Sequence, residues 1–303
     1  MAMALIVGMM VVSASAVSSD FNDSAEITNT EAVDVMTAIG VFEGTDKGAF
    51  NPTGILTREQ AAKIVAVMLL GEEDANKLST NSTTFKDVAA NRWSAGYIGY
   101  CVQQGILAGT GNGNFDPEGE LTGLAFAKMM LVALGYDAKV ANYVGNDWAI
   151  NTNVLANQNG LYKKLANLNA NTLLTRDNAA QMIYNALDAN MVELNAAGNY
   201  TTSQYSYTGT ESVVTGTERV WVVKIKDSSV NDAIKALDGS VYNSRQDAID
   251  TLKEANGGTT PLDTGKYSLE QKTQNVYGEN TVTKYADETM GHKYLSLITD
   301  GDA

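Results

Sequence analysis

One cysteine and one histidine in 303 residues remove whole classes of chemistry. Cys101 alone excludes an intrachain disulfide and a thiolate metal site. His292, with no partner motif around it, leaves little room for imidazole catalysis or a His-bound metal. Three prolines against 27 glycines leave turn-making to Gly, Asn and Asp. Basic residues are scarce as well: 21 Lys+Arg face 35 Asp+Glu, a formal net charge of -14. Phosphate contacts need a surplus of Lys and Arg, so a nucleic-acid role is excluded. No Gly-Lys-Ser/Thr phosphate loop, Ser-centred elbow or His-Glu-x-x-His zinc motif is present, and no cofactor is implied. What the chain does have is 44% hydrophobic residues, enough for a core. Its length suits roughly two or three small domains.

Residues 1–16 read as an export signal. An apolar run from Ala4 to Val12 is too short to span a bilayer, and Ala14-Ser15-Ala16 follows as a small-x-small cleavage site. Met1 to Ala4 lacks the usual basic residues, which suggests a true start further upstream. The mature chain is then expected to begin near Val17 and to carry no membrane span.

The next feature is a repeat. Its first copy runs from Phe21-Asn22-Asp23 through Gly40-Val41-Phe42-Glu43-Gly44-Thr45 and Gly48-Ala49-Phe50-Asn51-Pro52 to Leu56-Thr57-Arg58-Glu59-Gln60-Ala61. The second repeats it with Phe85-Lys86-Asp87-Val88, Trp93, Tyr97-Ile98, Gly105-Ile106-Leu107-Ala108-Gly109-Thr110, Gly113-Asn114-Phe115-Asp116-Pro117 and Leu121-Thr122-Gly123-Leu124. An eroded third copy keeps Trp148-Ala149, Gly160-Leu161-Tyr162 and Leu174-Thr175-Arg176-Asp177-Asn178-Ala179-Ala180. Each copy reads as helix, Gly-rich loop, helix. Ala32, Val33, Met36 and Ile39 recur at helical spacing, and Gly40 ends that helix. Thr57, Thr122 and Thr175 stand before apolar helical runs as N-caps, and Thr57 with Gln60 makes a capping box. Met68, Met129, Met130 and Met182 fall on core faces, and Cys101 reads as a small buried hydrophobe. The oxygen-rich stretch from Gly109 to Glu120 does not match the spacing of a calcium-binding EF-hand loop.

This ordered set resembles the S-layer homology (SLH) domain, over residues 20–75, 85–137 and, in degenerate form, 140–190. The resemblance implies a mainly α fold: a three-repeat helical module with pseudo-threefold symmetry, with a small α+β region after it. It also implies non-covalent anchoring to secondary cell-wall polysaccharide, often pyruvylated, in grooves between repeats, and a secreted protein of the bacterial cell wall or S-layer. Carried over by position, the ligand motif falls on Thr57, Arg58, Glu59 and Gln60, and on Thr175, Arg176, Asp177 and Asn178. In the second copy it falls on Thr122, Gly123, Leu124 and Ala125, without an arginine, which puts the second groove in doubt. Gly44 and Gly109 match the glycine that lets backbone approach the sugar, and Trp93 matches the aromatic of the first helix.

The residues argue the same way for the arginines. A cation directly after an N-cap opposes the helix dipole, at a cost of a few tenths of a kcal/mol up to about 1. A bound anion would meet both the guanidinium and free helix N–H groups. The competing reading pairs Arg58 with an acid such as Glu59. Trp93 is open between core anchor and sugar-stacking residue. Binding through such local sites is expected to be less salt-sensitive than through a basic patch.

Beyond residue 190 the composition shifts. Residues 191–217 read as a linker or edge strand, and 218–303 as a small α+β unit. Within it Val220 to Ile225 is a strand candidate, Val230 to Leu237 and Ser244 to Ala255 are helices, and Asn275 to Tyr277 and Thr281 to Tyr285 are short strands. The reading is a binding and structural protein without enzymatic activity, able to self-assemble in a surface layer. Its alternatives are an anchored polysaccharide-active enzyme, needing paired carboxylates in a cleft, or an adhesin.

Overall fold

The computed structural model describes residues 17–79, 84–143, 147–166, 168–258, 260 and 262–299. The signal-peptide reading of residues 1–16 lies outside them. Two compact units are present: residues up to Tyr205 together with Ala286 onward, and Ser206–Tyr285 between them.

The first unit is helical. Its elements are α1 (Thr30–Ala38), α2 (Arg58–Leu70), a short α3 (Glu72–Asn76), α4 (Ala95–Gln103), α5 (Gly123–Ala133), α6 (Trp148–Gln158), α7 (Arg176–Leu187) and α10 (Met290–Thr299). The N-caps form as read. Gln60 N–H, Ala125 N–H and Asn178 N–H donate to the hydroxyls of Thr57, Thr122 and Thr175. Gln60 Oε1 accepts from Thr57 N–H to complete the box. Gly40 and Gly105 adopt φ of 74° and 71°, the left-handed C′ conformation that closes α1 and α4.

No helix pair buries its apolar faces alone. α2 packs on α4, α5 on α6, and α7 on α1, so the order closes into a ring. Backbone hydrogen bonds close a second ring inside it. Leu56 N–H donates to Leu174 O at 2.9 Å, Leu174 N–H to Leu121 O at 2.8 Å, and Leu121 N–H to Leu56 O at 3.0 Å. All three leucines are buried. The four methionines assigned to the core are buried too, and Cys101 is enclosed, its thiol pushed up to about 12 by desolvation.

The stretch expected as a linker is structured. A hairpin of β1 (Val192–Leu194) and β2 (Tyr200–Thr202) pairs Val192 with Thr202, and Tyr200 packs on Tyr136 with ring centroids 4.9 Å apart. β3 then runs unbroken from Gln204 to Ile225. Alternating Thr, Val and Tyr favour extended backbone there, and the Ser, Gly and polar content that suggests a linker sits on a strand exposed along most of its length.

In the second unit a sheet of order β4-β3-β5 uses β4 (Val241–Tyr242) and β5 (Tyr267–Asp287). The two short strands expected between Asn275 and Tyr285 are parts of that single long β5. α8 (Asp232–Lys235) is shorter than expected, whereas α9 (Arg245–Ala255) matches, capped by Ser244 accepting from Asp247 N–H. Val223, Val230, Ile234, Ala248, Leu252 and Leu262 make a separate small core.

Residues 286–299 do not belong to that unit. They return to the helical one, where α10 packs on α7 and α2. The repeat pattern carries no sign of this, because α10 holds no element of it. Among the described residues no helix is long and apolar enough to cross a membrane, and no group of three or more His, Cys, Asp or Glu could hold a metal ion.

Candidate functional site

The two arginines that follow N-caps reach across to the Gly-rich loop of another helix pair. Arg58, at the start of α2, donates from Nε to Phe115 O at 3.0 Å and from an Nη to Ala108 O at 2.7 Å. Its guanidinium lies over the Phe115 ring, 4.5 Å from the centroid. Arg176, at the start of α7, does the same to the first loop. It donates to Phe50 O and Glu43 O, both at 2.9 Å, and lies over Phe42 and Phe50 at 5.1 and 5.0 Å. Burial holds both guanidiniums below their ordinary value. Asp116 and Asp87 oppose this for Arg58, and Asp23 and Glu43 for Arg176.

The loops they grip are pinned from the other side. Asp23 accepts from Phe50 N–H and Asn51 N–H at 2.8 and 2.7 Å, and Asp87 accepts from Phe115 N–H and Asp116 N–H at the same distances. This explains the Phe-x-Asp that opens each of the first two copies.

Two grooves result. The first, about 320 Å³, joins the Phe42–Thr45 loop, Gln60 and Lys63 of α2, Trp93 and Arg176. The second, about 430 Å³, joins the Leu107–Gly109 loop, Lys128 of α5, Trp148 and Arg58. Each groove thus takes its loop and lysine from one copy, its arginine from the copy before and its tryptophan from the copy after. The arginine-less copy therefore does not damage the second groove, which Arg58 serves. Gly123 faces the third loop instead. A Cβ there would make ordinary contacts, 3.4 Å from Ala170 Cα and 3.5 Å from Leu168 Cδ2.

The helix N–H groups expected to be free for an anion are taken. Arg58 N–H and Glu59 N–H donate to Gly119 O and Pro117 O, and Arg176 N–H and Asp177 N–H to Gly54 O and Pro52 O. Loop carbonyls, not a ligand, satisfy these helix starts.

Nor does Glu59 pair with Arg58. It is buried and bound in two bonds by Arg92, at 2.8 and 2.9 Å, with Ser94 Oγ donating as well. Asp177 is buried against Asn29, accepting from its N–H at 3.1 Å and its Nδ2 at 2.9 Å. Both acids tie their helix to the start of the next copy's first helix, away from the grooves. Desolvation raises the Asp177 carboxyl, against the lowering effect of its Asn29 and Thr28 hydrogen bonds. Thr57 and Thr175 act as caps.

Gly44 and Gly109 line their grooves, yet each also has a packing reason to be glycine. A Cβ on Gly44 would lie 2.7 Å from Phe21 Cε1, and one on Gly109 2.6 Å from Phe85 Cε1 and 2.8 Å from Asn114 O. Because that carbonyl is backbone, Gly109→Ala is expected to cost about 1–3 kcal/mol in urea denaturation. Gly216→Ala, with open space around it, is the neutral control.

Trp93 is 53% exposed, which removes the core-anchor reading. Lys63, bound to Glu43 at 3.0 Å, and Lys128, bound to Tyr143 O at 2.8 Å and set 5.8 Å over the Trp148 ring, were not anticipated as groove residues. The signal was present: each lysine lies six residues after its N-cap threonine, where the third copy has Gln181.

The sequence model of the S-layer homology domain matches residues 20–62 and 84–127. A cell surface protein of Thermoanaerobacter kivui is 30% identical over 58% of this chain and 22% of its own length. The middle cell wall protein of Brevibacillus brevis is 27% identical over 63% of this chain and 18% of its own. The cellulosome-anchoring protein of Acetivibrio thermocellus is 35% identical over 28% of this chain and 19% of its own. The chain thus spans about a fifth of the length of these relatives, which are named as cell surface, cell wall and cellulosome-anchoring proteins.

Proposed function

Because this is a secreted protein of the bacterial cell wall or S-layer that carries S-layer homology domains, we propose that its helical unit anchors it non-covalently to secondary cell-wall polysaccharide. The observation that carries the reading is the paired construction of the two grooves. Each presents an arginine, a lysine and a tryptophan from three different parts of the chain. In both arginines one Nη group takes no partner among the described residues, which leaves a donor for a ligand.

That chemistry suits an acidic sugar such as one bearing a ketal-linked pyruvate. The carboxylate meets two cations, and the sugar ring lies against an indole face. In this reading Arg58, Arg176, Trp93, Gly44 and Gly109 contact or shape the ligand, joined by Lys63, Lys128 and Trp148. Glu59, Asp177, Thr57, Gln60 and Thr175 hold the frame. The third copy is a true repeat related to the others by a pseudo-threefold axis, a relation supported by the ring of leucine hydrogen bonds.

The test is cosedimentation of the full chain with purified wall sacculi, with the polysaccharide intact or stripped. Retention on intact sacculi alone is expected, and equal retention on both would sink the proposal. Trp93→Ala should weaken retention by about fivefold or more with little change in Tm, because the exposed indole contributes little packing.

A further inference from the structure

Apart from the cationic grooves, the third helix pair carries a hollow of about 420 Å³ whose lining, among the described residues, includes no charged side chain. Asn153 and Asn157 stand one turn apart on α6, and Asn169 belongs to the loop that follows. Tyr162, Leu165 and Leu168 add apolar surface.

Hydrogen bonds inside this group decide which end of each amide is left over. Tyr162 Oη donates to Asn153 Oδ1 at 3.1 Å. Asn157 Nδ2 donates to the Asn153 carbonyl at 2.9 Å. Asn169 Oδ1 accepts from Asn171 N–H at 3.1 Å. Among the described residues, Asn153 Nδ2, Asn157 Oδ1 and Asn169 Nδ2 then take no partner. They form a set of donor, acceptor and donor. The Tyr162 phenol, pushed up to about 12 by burial, stays neutral.

A ligand for this set must be uncharged, since no counter-charge lines the hollow. It must donate and accept at neighbouring points and present apolar C–H surface to the tyrosine and leucines. Vicinal hydroxyls on a pyranose ring meet all of these demands. We infer that the hollow is a binding subsite for an uncharged sugar residue, distinct from the Arg58 and Arg176 grooves. The inference deepens the wall-glycan proposal and rests on it only for the source of the sugar.

The test uses the full chain and purified wall polysaccharide in two forms, native and freed of acidic substituents by mild acid. The unaltered chain should be retained on both. Asn157→Ala combined with Asn169→Ala, both at exposed positions, should lose at least about tenfold on the substituent-free form. Gly216→Ala, which meets open space, should leave retention on that form unchanged. In a parallel NMR titration with N-acetylglucosamine and with glucose, the Asn153 and Asn157 side-chain amide signals should shift saturably. Unmoved amide signals, or full retention of the asparagine variant, would overturn the subsite while leaving binding of the native polymer intact. Retention of neither polymer would overturn the wall-glycan proposal, and the sugar titration then decides the subsite alone.

Discussion

Arg176→Ala is expected to cost about 3 kcal/mol of stability and to reduce retention on intact wall sacculi by at least about tenfold. The stability loss follows from what the guanidinium holds. It satisfies Phe50 O and Glu43 O and covers two phenylalanine rings. Leaving the part-buried Phe50 carbonyl unpaired costs about 1–3 kcal/mol, the exposed bond to Glu43 O adds about 0.5–1.5, and a cation–π contact is worth about 0.5–2. The binding loss follows because the same side chain sets the shape of the first loop and offers its remaining Nη to the groove.

Arg176→Lys separates the two effects. A lysine keeps the charge but cannot bridge two carbonyls with a planar fork. It should therefore lose part of the stability and more of the binding than charge alone would predict. Urea denaturation and sacculus cosedimentation read the two quantities. A stability loss below about 0.5 kcal/mol would show that the loop stands without the arginine. Arg58→Ala should behave similarly at the second groove, with one aromatic ring rather than two beneath it.

These arginines mark how far the sequence could be read. Repeat order, N-caps and closing glycines are local signals, and each appears where the spacing put it. Thr57, Thr122 and Thr175 cap their helices, and Gly40 and Gly105 adopt positive φ. The groove arginines were also legible, because a cation at a helix start is unfavourable unless something answers it. What answers it was not legible. Loop carbonyls from another copy take both the guanidinium and the helix N–H groups, and that exchange depends on how copies are arranged around the ring. The same arrangement moves the effect of Gly123 from the second groove to the third loop. It also gives Glu59 to Arg92, 33 positions away, rather than to its neighbour Arg58. Exposure of Trp93 and burial of Glu59 are likewise properties of packing between copies, which periodicity within one copy cannot report.

The return of residues 286–299 to the helical unit was the least legible part and leads to the other large effect. Truncation after residue 205 should destabilise the helical unit by about 4 kcal/mol or more, although every repeat motif remains. α10 closes one side of the core. Tyr294 is 2% exposed and its Oη donates to Ile39 O, while Gly291 fits where a Cβ would meet Leu187 O at 2.9 Å. The incoming segment is also stitched to the end of the last repeat helix. Met191 N–H donates to Glu288 O at 2.7 Å and Met290 N–H to Ala189 O at 3.0 Å. Removing one buried aromatic side chain costs about 3–5 kcal/mol, so Tyr294→Ala alone should reproduce most of the loss and Tyr294→Phe about 1–2 of it. Excising residues 207–284 and joining the ends with a short Gly-Ser linker should, by contrast, leave the helical unit folded. The strand ends it would join are already neighbours, with Gln204 Nε2 donating to Asp287 Oδ1 at 3.2 Å. Thermal unfolding of the two shortened chains measures the difference. Equal stability of both would mean that α10 adds nothing to the helical unit, whereas a folded excision and an unfolded truncation would establish that the helical unit is assembled from two segments, on either side of Ser206–Tyr285.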